Sequence, residues 1–111
     1  MSIKYDADTY QLERAAHNRG HVEPTDAMII YTLGLNGEAG EVADLFKKHI
    51  AHGRTLDRTE LLHELGDVLW YLSQIAHVNG ITMSEIMKAN TDKIRARHPE
   101  GFTVTKGEVR P

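Results

Sequence analysis

The sequence contains no cysteine, which excludes disulfides, thiolate chemistry and cysteine-ligated zinc and leaves carboxylates and imidazoles as metal ligands. That composition is compatible with a reducing cytoplasm, the expected location. A polybasic run is also missing: acidic and basic residues are interleaved, and the formal charge is only -3 with histidine neutral. Binding to a nucleic-acid polymer is therefore not expected, because it needs clustered Lys and Arg. The chain has no apolar run of membrane length and no cationic leader ahead of a short apolar segment, so it reads as soluble and unprocessed, without a membrane partner. Alternation of β-branched residues between turn residues is nearly absent as well. With 111 residues there is room for one core and not for two ordinary domains. Residues 1–111 are read as a single domain, with a core over about residues 7–98 and an extended C-terminal tail over 99–111.

What the chain does have is apolar spacing of helical period through most of its length, which predicts an all-α fold, a four-helix bundle-like domain. A first helix is expected from Ala7 to Arg19, stopped by Gly20, with His21 to Pro24 as a connector. The second starts near Thr25 and Asp26, which suit an N-cap, and runs to His52 before Gly53. Gly34, Gly37 and Gly40 lie inside it, each costing roughly 1 kcal/mol against alanine, and close helix packing explains them better than a kink. Asp57 with Glu60 three residues later resembles a capping box and opens a third helix that ends at Asn79-Gly80. Thr82-Met83-Ser84-Glu85 is a second such box, opening a fourth helix to Arg97, where His98-Pro99 breaks it.

Four carboxylates stand where a purely structural helix would not put them. Glu38 and Glu41 are separated by roughly 60° on the wheel, on one face. Tyr31, Gly34, Val42 and Leu45 surround them, so both acids lie on the apolar side. In the third helix Glu64 and Asp67 repeat the i, i+3 pairing along the edge of the stripe formed by Leu61, Leu65, Val68, Leu69, Leu72 and Ile75. Buried unpaired carboxylates are costly and normally bind a metal, pair with cations or shift their pKa. Antiparallel packing across the short Gly53 to Asp57 connection would gather all four, and oxygen-only ligands suit a hard cation, magnesium with manganese as a substitute. The plainer reading makes both pairs solvated surface charges or partners of Lys48 and Arg54. Either pair alone would fit that; two pairs beside apolar stripes on successive helices fit it less well.

Candidate phosphate-binding groups follow the acids. Lys48 falls within about 20° of Glu41 on the wheel, whereas Lys47 points to the opposite face. Asn90, Lys93 and Arg97 form an i, i+3, i+7 stripe on the fourth helix, and an amide there needs a partner while the cations can hold phosphate oxygens. For Lys93 and Arg97, snorkelling from a core edge is an equal alternative.

The string Gly34-Leu35-Asn36-Gly37-Glu38-Ala39-Gly40-Glu41-Val42-Ala43-Asp44, with Glu64-Leu65-Gly66-Asp67-Val68-Leu69-Trp70-Tyr71-Leu72, resembles the MazG-like nucleoside triphosphate pyrophosphohydrolases, whose signature is E-x-x-E followed by E-x-x-D. Asn90-Thr91-Asp92-Lys93 and Arg97-His98-Pro99-Glu100-Gly101-Phe102 are similar to the family's C-terminal pattern, so the likeness spans roughly residues 28–102. It implies an all-α fold assembling as dimers or tetramers. It also implies hydrolysis of a nucleoside triphosphate to the monophosphate and pyrophosphate, by metal-activated water attacking the α-phosphorus. Glu38, Glu41, Glu64 and Asp67 match the family's magnesium ligands and catalytic positions, and Asn90 and Lys93 match positions that contact metal or phosphates. Glu38 is the choice for the acid that orients or deprotonates the water. One departure is His98, where many relatives carry tyrosine.

Trp70 lies on the otherwise polar side of its helix, which suggests a subunit contact ahead of stacking on a base. A homodimer or homotetramer is expected, since a lone short bundle buries a limited core. Two rivals stand against the enzyme. Glu60-x-x-His63 has the spacing of a di-iron carboxylate bundle, but no second such motif occurs on the other predicted helices. A non-enzymatic helical interaction module would leave the acids as surface charge.

Overall fold

The computed structural model describes residues 6–18 and 23–101. Over these residues the chain is all-α, with α1 (Ala7–His17), α2 (Pro24–His52), α3 (Arg58–Val78) and α4 (Met83–Arg97) in that order. Arg19, Gly20, the first part of the connector and the tail from residue 102 lie outside the described residues.

Local chemistry sets most of the boundaries. Asp6 caps α1 by accepting from the Thr9 amide at 2.9 Å. The helix ends at His17, two residues short of the expected Arg19, because Asn18 leaves the helical conformation. Its side chain is drawn to Gln74 Oε1 at 2.6 Å and to the Tyr31 hydroxyl at 3.3 Å. α2 begins earlier than Thr25: Pro24 occupies its first turn, where a missing amide proton and a fixed φ cost nothing, and Glu23 stands at the cap position. Gly53, at φ 66°, closes α2 in the left-handed region that favours glycine. Asp57 accepts from the Thr59 and Glu60 amides to start α3. The Thr82–Glu85 box is complete, each side chain taking the other residue's amide.

α2 and α3 form an antiparallel hairpin that holds most of the packing, α1 lies against α3, and α4 packs principally on α1. The expected close approach of helices occurs at Gly34, against which the ring of Tyr71 is pressed; Gly37 and Gly40 face open space instead. α4 is seated through α1 by polar groups. Gln11, only 4% exposed, donates to the Ile81 carbonyl at 2.8 Å and accepts from the Met83 amide at 3.1 Å. Asp8 accepts from both the amide and the hydroxyl of Ser84.

Among the described residues the buried apolar side chains are only Ala27, Ala76 and Met83. Leu33, Ile50, Leu62 and Met87 are all more than half exposed. The apolar stripe of each helix is thus wider than the face its neighbours in the same chain cover. No described helix is long and apolar enough to cross a membrane.

Candidate metal centre

The antiparallel α2–α3 hairpin brings Glu38 beside Glu64 and Asp67, one carboxylate oxygen of each lying within 4.8 Å of the others. Glu38 and Glu64 are half-buried and Asp67 is exposed. Three anions this close repel one another. The Glu38 carboxyl is raised from its ordinary value, first by desolvation, then by a hydrogen bond with Glu64, and then by the charges of Asp67, Glu64 and Glu41. A hard cation would relieve that repulsion, and the donor set, oxygen only, is of the kind such ions take. The residues present therefore fit a divalent metal.

Glu41 contributes charge to this environment but stands outside the tight group and is exposed. Helical spacing placed it on the apolar side with Glu38. The difference arises because α2's apolar stripe extends beyond the face that α3 covers, so a residue can share the stripe and still meet solvent. Among the described residues the cluster contains no histidine, and Glu60 and His63 of the di-iron spacing are both exposed outside it.

The cations are arranged differently from the wheel. Lys48 is paired with Asp44 at 2.8 Å, one turn before it, and not with Glu41. That pairing lowers the Asp44 carboxyl and raises the Lys48 ammonium, the mutual hydrogen bond being the largest cause for both. Lys47 does not turn away from it: Lys47, Lys48, His52 and Arg54 line one open cavity of about 510 Å³ together with Asp44. The Gly53 turn makes this possible by returning Arg54 to the end of α2, where its amide reaches the Lys48 carbonyl at 3.2 Å and His49 donates through Nδ1 to its carbonyl. Asn90, Lys93 and Arg97 are exposed on α4, which is carried by α1 and is not seated over the acids.

Tyr10 escaped the sequence reading, and the surroundings of Trp70 differ from those read there. Trp70 does not stand on a bare polar face. It meets Tyr31 and Tyr71 edge-on, with ring centroids 5.8 and 5.0 Å away, and lines a cavity of about 370 Å³ with Glu38, Asp67 and Tyr71. From α1, Tyr10 approaches the acids: its phenol is raised by burial, lowered by Arg14 and raised by the Asp67 charge. Arg14 lies over the Tyr10 ring at 5.2 Å from its centroid. The Tyr10–Arg14 spacing of i, i+4 was the available signal for a shared face, hidden in a helix whose surface otherwise reads as mostly polar.

The all-α hairpin thus presents three acids from two adjacent helices, an oxygen donor set that could hold a divalent metal. The sequence profile of the MazG nucleotide pyrophosphohydrolase domain matches residues 28–102, a segment that contains both acid pairs and α4. The chain belongs to that family. It is also similar to the Gene 37 protein of Mycobacterium phage L5, 32% identical over 95 residues that cover 82% of this chain and 83% of the phage protein. No solved structure matches the chain.

Proposed function

We propose that the protein hydrolyses a nucleoside or deoxynucleoside triphosphate to the monophosphate and pyrophosphate, with magnesium as the working ion. The observation that carries this reading is the convergence of Glu38, Glu64 and Asp67 from two helices in a chain of the MazG family. These three side chains would hold the metal, and Glu41, whose charge reaches Glu38, is the fourth proposed ligand. Bound there, magnesium supplies charge neutralisation for the triphosphate and lowers the pKa of a coordinated water.

The chain's own groups do the rest. Glu38, whose carboxylate is more basic than a free one, is the proposed base that orients the attacking water toward the α-phosphorus. Lys48, with Lys47 and Arg54 beside it, is the proposed holder of the terminal phosphates and of the departing pyrophosphate. Manganese would substitute, because it accepts the same oxygen donors.

Asn90, Lys93 and Arg97 enter this reading through a second copy of the chain. On α4 they stand apart from their own acids, while Leu33, Ile50, Leu62 and Met87 leave apolar surface that a homodimer or homotetramer would cover. In such an assembly one chain's acid pairs and another's amide and cations can meet on one triphosphate. Incubation with magnesium and a panel of canonical and modified nucleoside triphosphates tests the activity, and sedimentation of the same sample tests the assembly. No pyrophosphate from any substrate, with either metal, would sink the proposal.

A further inference from the structure

We propose that Trp70 is the surface on which the nucleotide's base stacks, a reading that rests on the pyrophosphohydrolase assignment and adds base recognition to it. Trp70 follows Asp67 by three residues on α3, so indole and carboxylate stand as neighbours on one face, with about 5–6 Å between their Cβ atoms. The cavity beside them is lined by two acids, Glu38 and Asp67, and two aromatic rings, Trp70 and Tyr71. In a nucleotide only the sugar separates the base from the α-phosphate. A substrate with its α-phosphate at the acids therefore carries its base within reach of the aromatic rings that line the same cavity.

The indole is held ready for this. Tyr31 and Tyr71 meet it at interplanar angles of 83° and 86°, so neither of these rings lies parallel on it. Parallel stacking is the contact a planar base makes. Both tyrosines are themselves fixed, Tyr71 by its seat against Gly34 and Tyr31 by the Asn18 amide on its hydroxyl. Stacking on an aromatic face is tolerant of base identity, because every base has a π-face. Trp70 thus selects base-bearing nucleotides over inorganic polyphosphates, and purines and pyrimidines both qualify. A cluster that served only to close the end of the α2–α3 interface would affect stability and leave this selection unchanged.

Trp70 is the sole tryptophan of the chain, so its fluorescence reports the site directly. The full-length protein, with magnesium, is titrated with nucleoside triphosphate analogues blocked by a methylene between the α- and β-phosphates, and separately with inorganic tripolyphosphate. Saturable quenching is expected with the analogues and none with tripolyphosphate. By calorimetry, Trp70→Leu should weaken analogue binding roughly 10-fold while tripolyphosphate affinity moves less than about twofold, and Trp70→Phe should retain most of the affinity. Helicity by circular dichroism checks that the variants fold, and Trp70→Phe carries the comparison if the leucine variant does not: it should then separate analogue from tripolyphosphate as the wild type does. Equal response of the indole to tripolyphosphate, or unchanged analogue binding in Trp70→Leu, overturns the role of Trp70 while a wild-type protein that still releases pyrophosphate keeps the activity. Failure of the wild type both to bind any analogue and to release pyrophosphate overturns the two together.

Discussion

Gly34 and Tyr71 occupy each other's space to the limit: a Cβ built on Gly34 overlaps the tyrosine ring, lying 2.7 Å from Cδ1 and closer to the atoms beyond it. The ring cannot swing aside freely, because Trp70 abuts it edge-on. One backbone position on α2 therefore sets the wall of the cavity that Glu38 and Asp67 share with those two rings.

Gly34→Ala is expected to destabilise the protein although alanine is the better helix former. Propensity would favour alanine by about 1 kcal/mol, while forcing a methyl into a filled space typically costs about 1–3 kcal/mol. Urea unfolding should show a net loss of about 1 kcal/mol or more. A gain in stability would mean that the ring moves readily and that the wall is soft.

Removing one charge from the acid group should separate chemistry from folding. Glu38→Gln, Glu64→Gln and Asp67→Asn are each expected to lower magnesium-dependent turnover by about 100-fold or more, with helicity unchanged. Glu41→Gln should fall less, since Glu41 stands outside the closest group. Steady-state kinetics with pyrophosphate detection distinguishes the four variants.

The raised Glu38 carboxyl has a consequence for the metal-free protein. A carboxyl whose folded-state pKa lies above its unfolded value binds its proton more readily when folded, so stability falls as pH rises from the ordinary value of 4.5 through the folded one. Above that window the strain among the acids is fully present. Metal-free Glu38→Gln should therefore melt above the wild type at pH 7, and the gap should close as pH is lowered toward 4.5. Magnesium should raise the wild-type melting temperature at pH 7 and leave the variant less affected. A melting difference that does not vary with pH would contradict this account of the cluster.

Gln11 joins α1 to the start of α4 and to α3 through the Ile81 and Ser73 carbonyls and the Met83 amide. Gln11→Leu keeps comparable bulk but leaves those buried groups without their partner, at an expected cost of about 1–3 kcal/mol. Hydrogen exchange should localise the loss to the α4 N-terminus. An effect confined to α1 would show that α4 is seated by other contacts.

Sequence periodicity and capping residues carried much of the fold. Asp57, Gly53 and the Thr82–Glu85 box marked helix ends that the structure reproduces, because caps act within four residues and need no tertiary information. The α1 end was less legible, since Asn18 is captured by Gln74 across 56 positions of sequence. In the site, the convergence of Glu38 with Glu64 and Asp67 followed from two acid pairs on an antiparallel hairpin. What the wheel could not convey was which part of an apolar stripe a neighbour covers. Glu41 consequently meets solvent, and Lys48 turns to Asp44. The aromatic surroundings of Trp70 were hidden for the same reason: its neighbour Tyr31 belongs to α2, and a single-helix projection of α3 shows only a polar side.

The central claim is tested most directly by identifying the products. The protein is incubated with magnesium and individual nucleoside triphosphates in ¹⁸O-labelled water and followed by ³¹P NMR, with Asp67→Asn as the control. At least one substrate should yield nucleoside monophosphate and pyrophosphate in equal amounts, with the label in the monophosphate and the control silent. Release of orthophosphate, label in the pyrophosphate, or no product from any triphosphate with magnesium or manganese would contradict it.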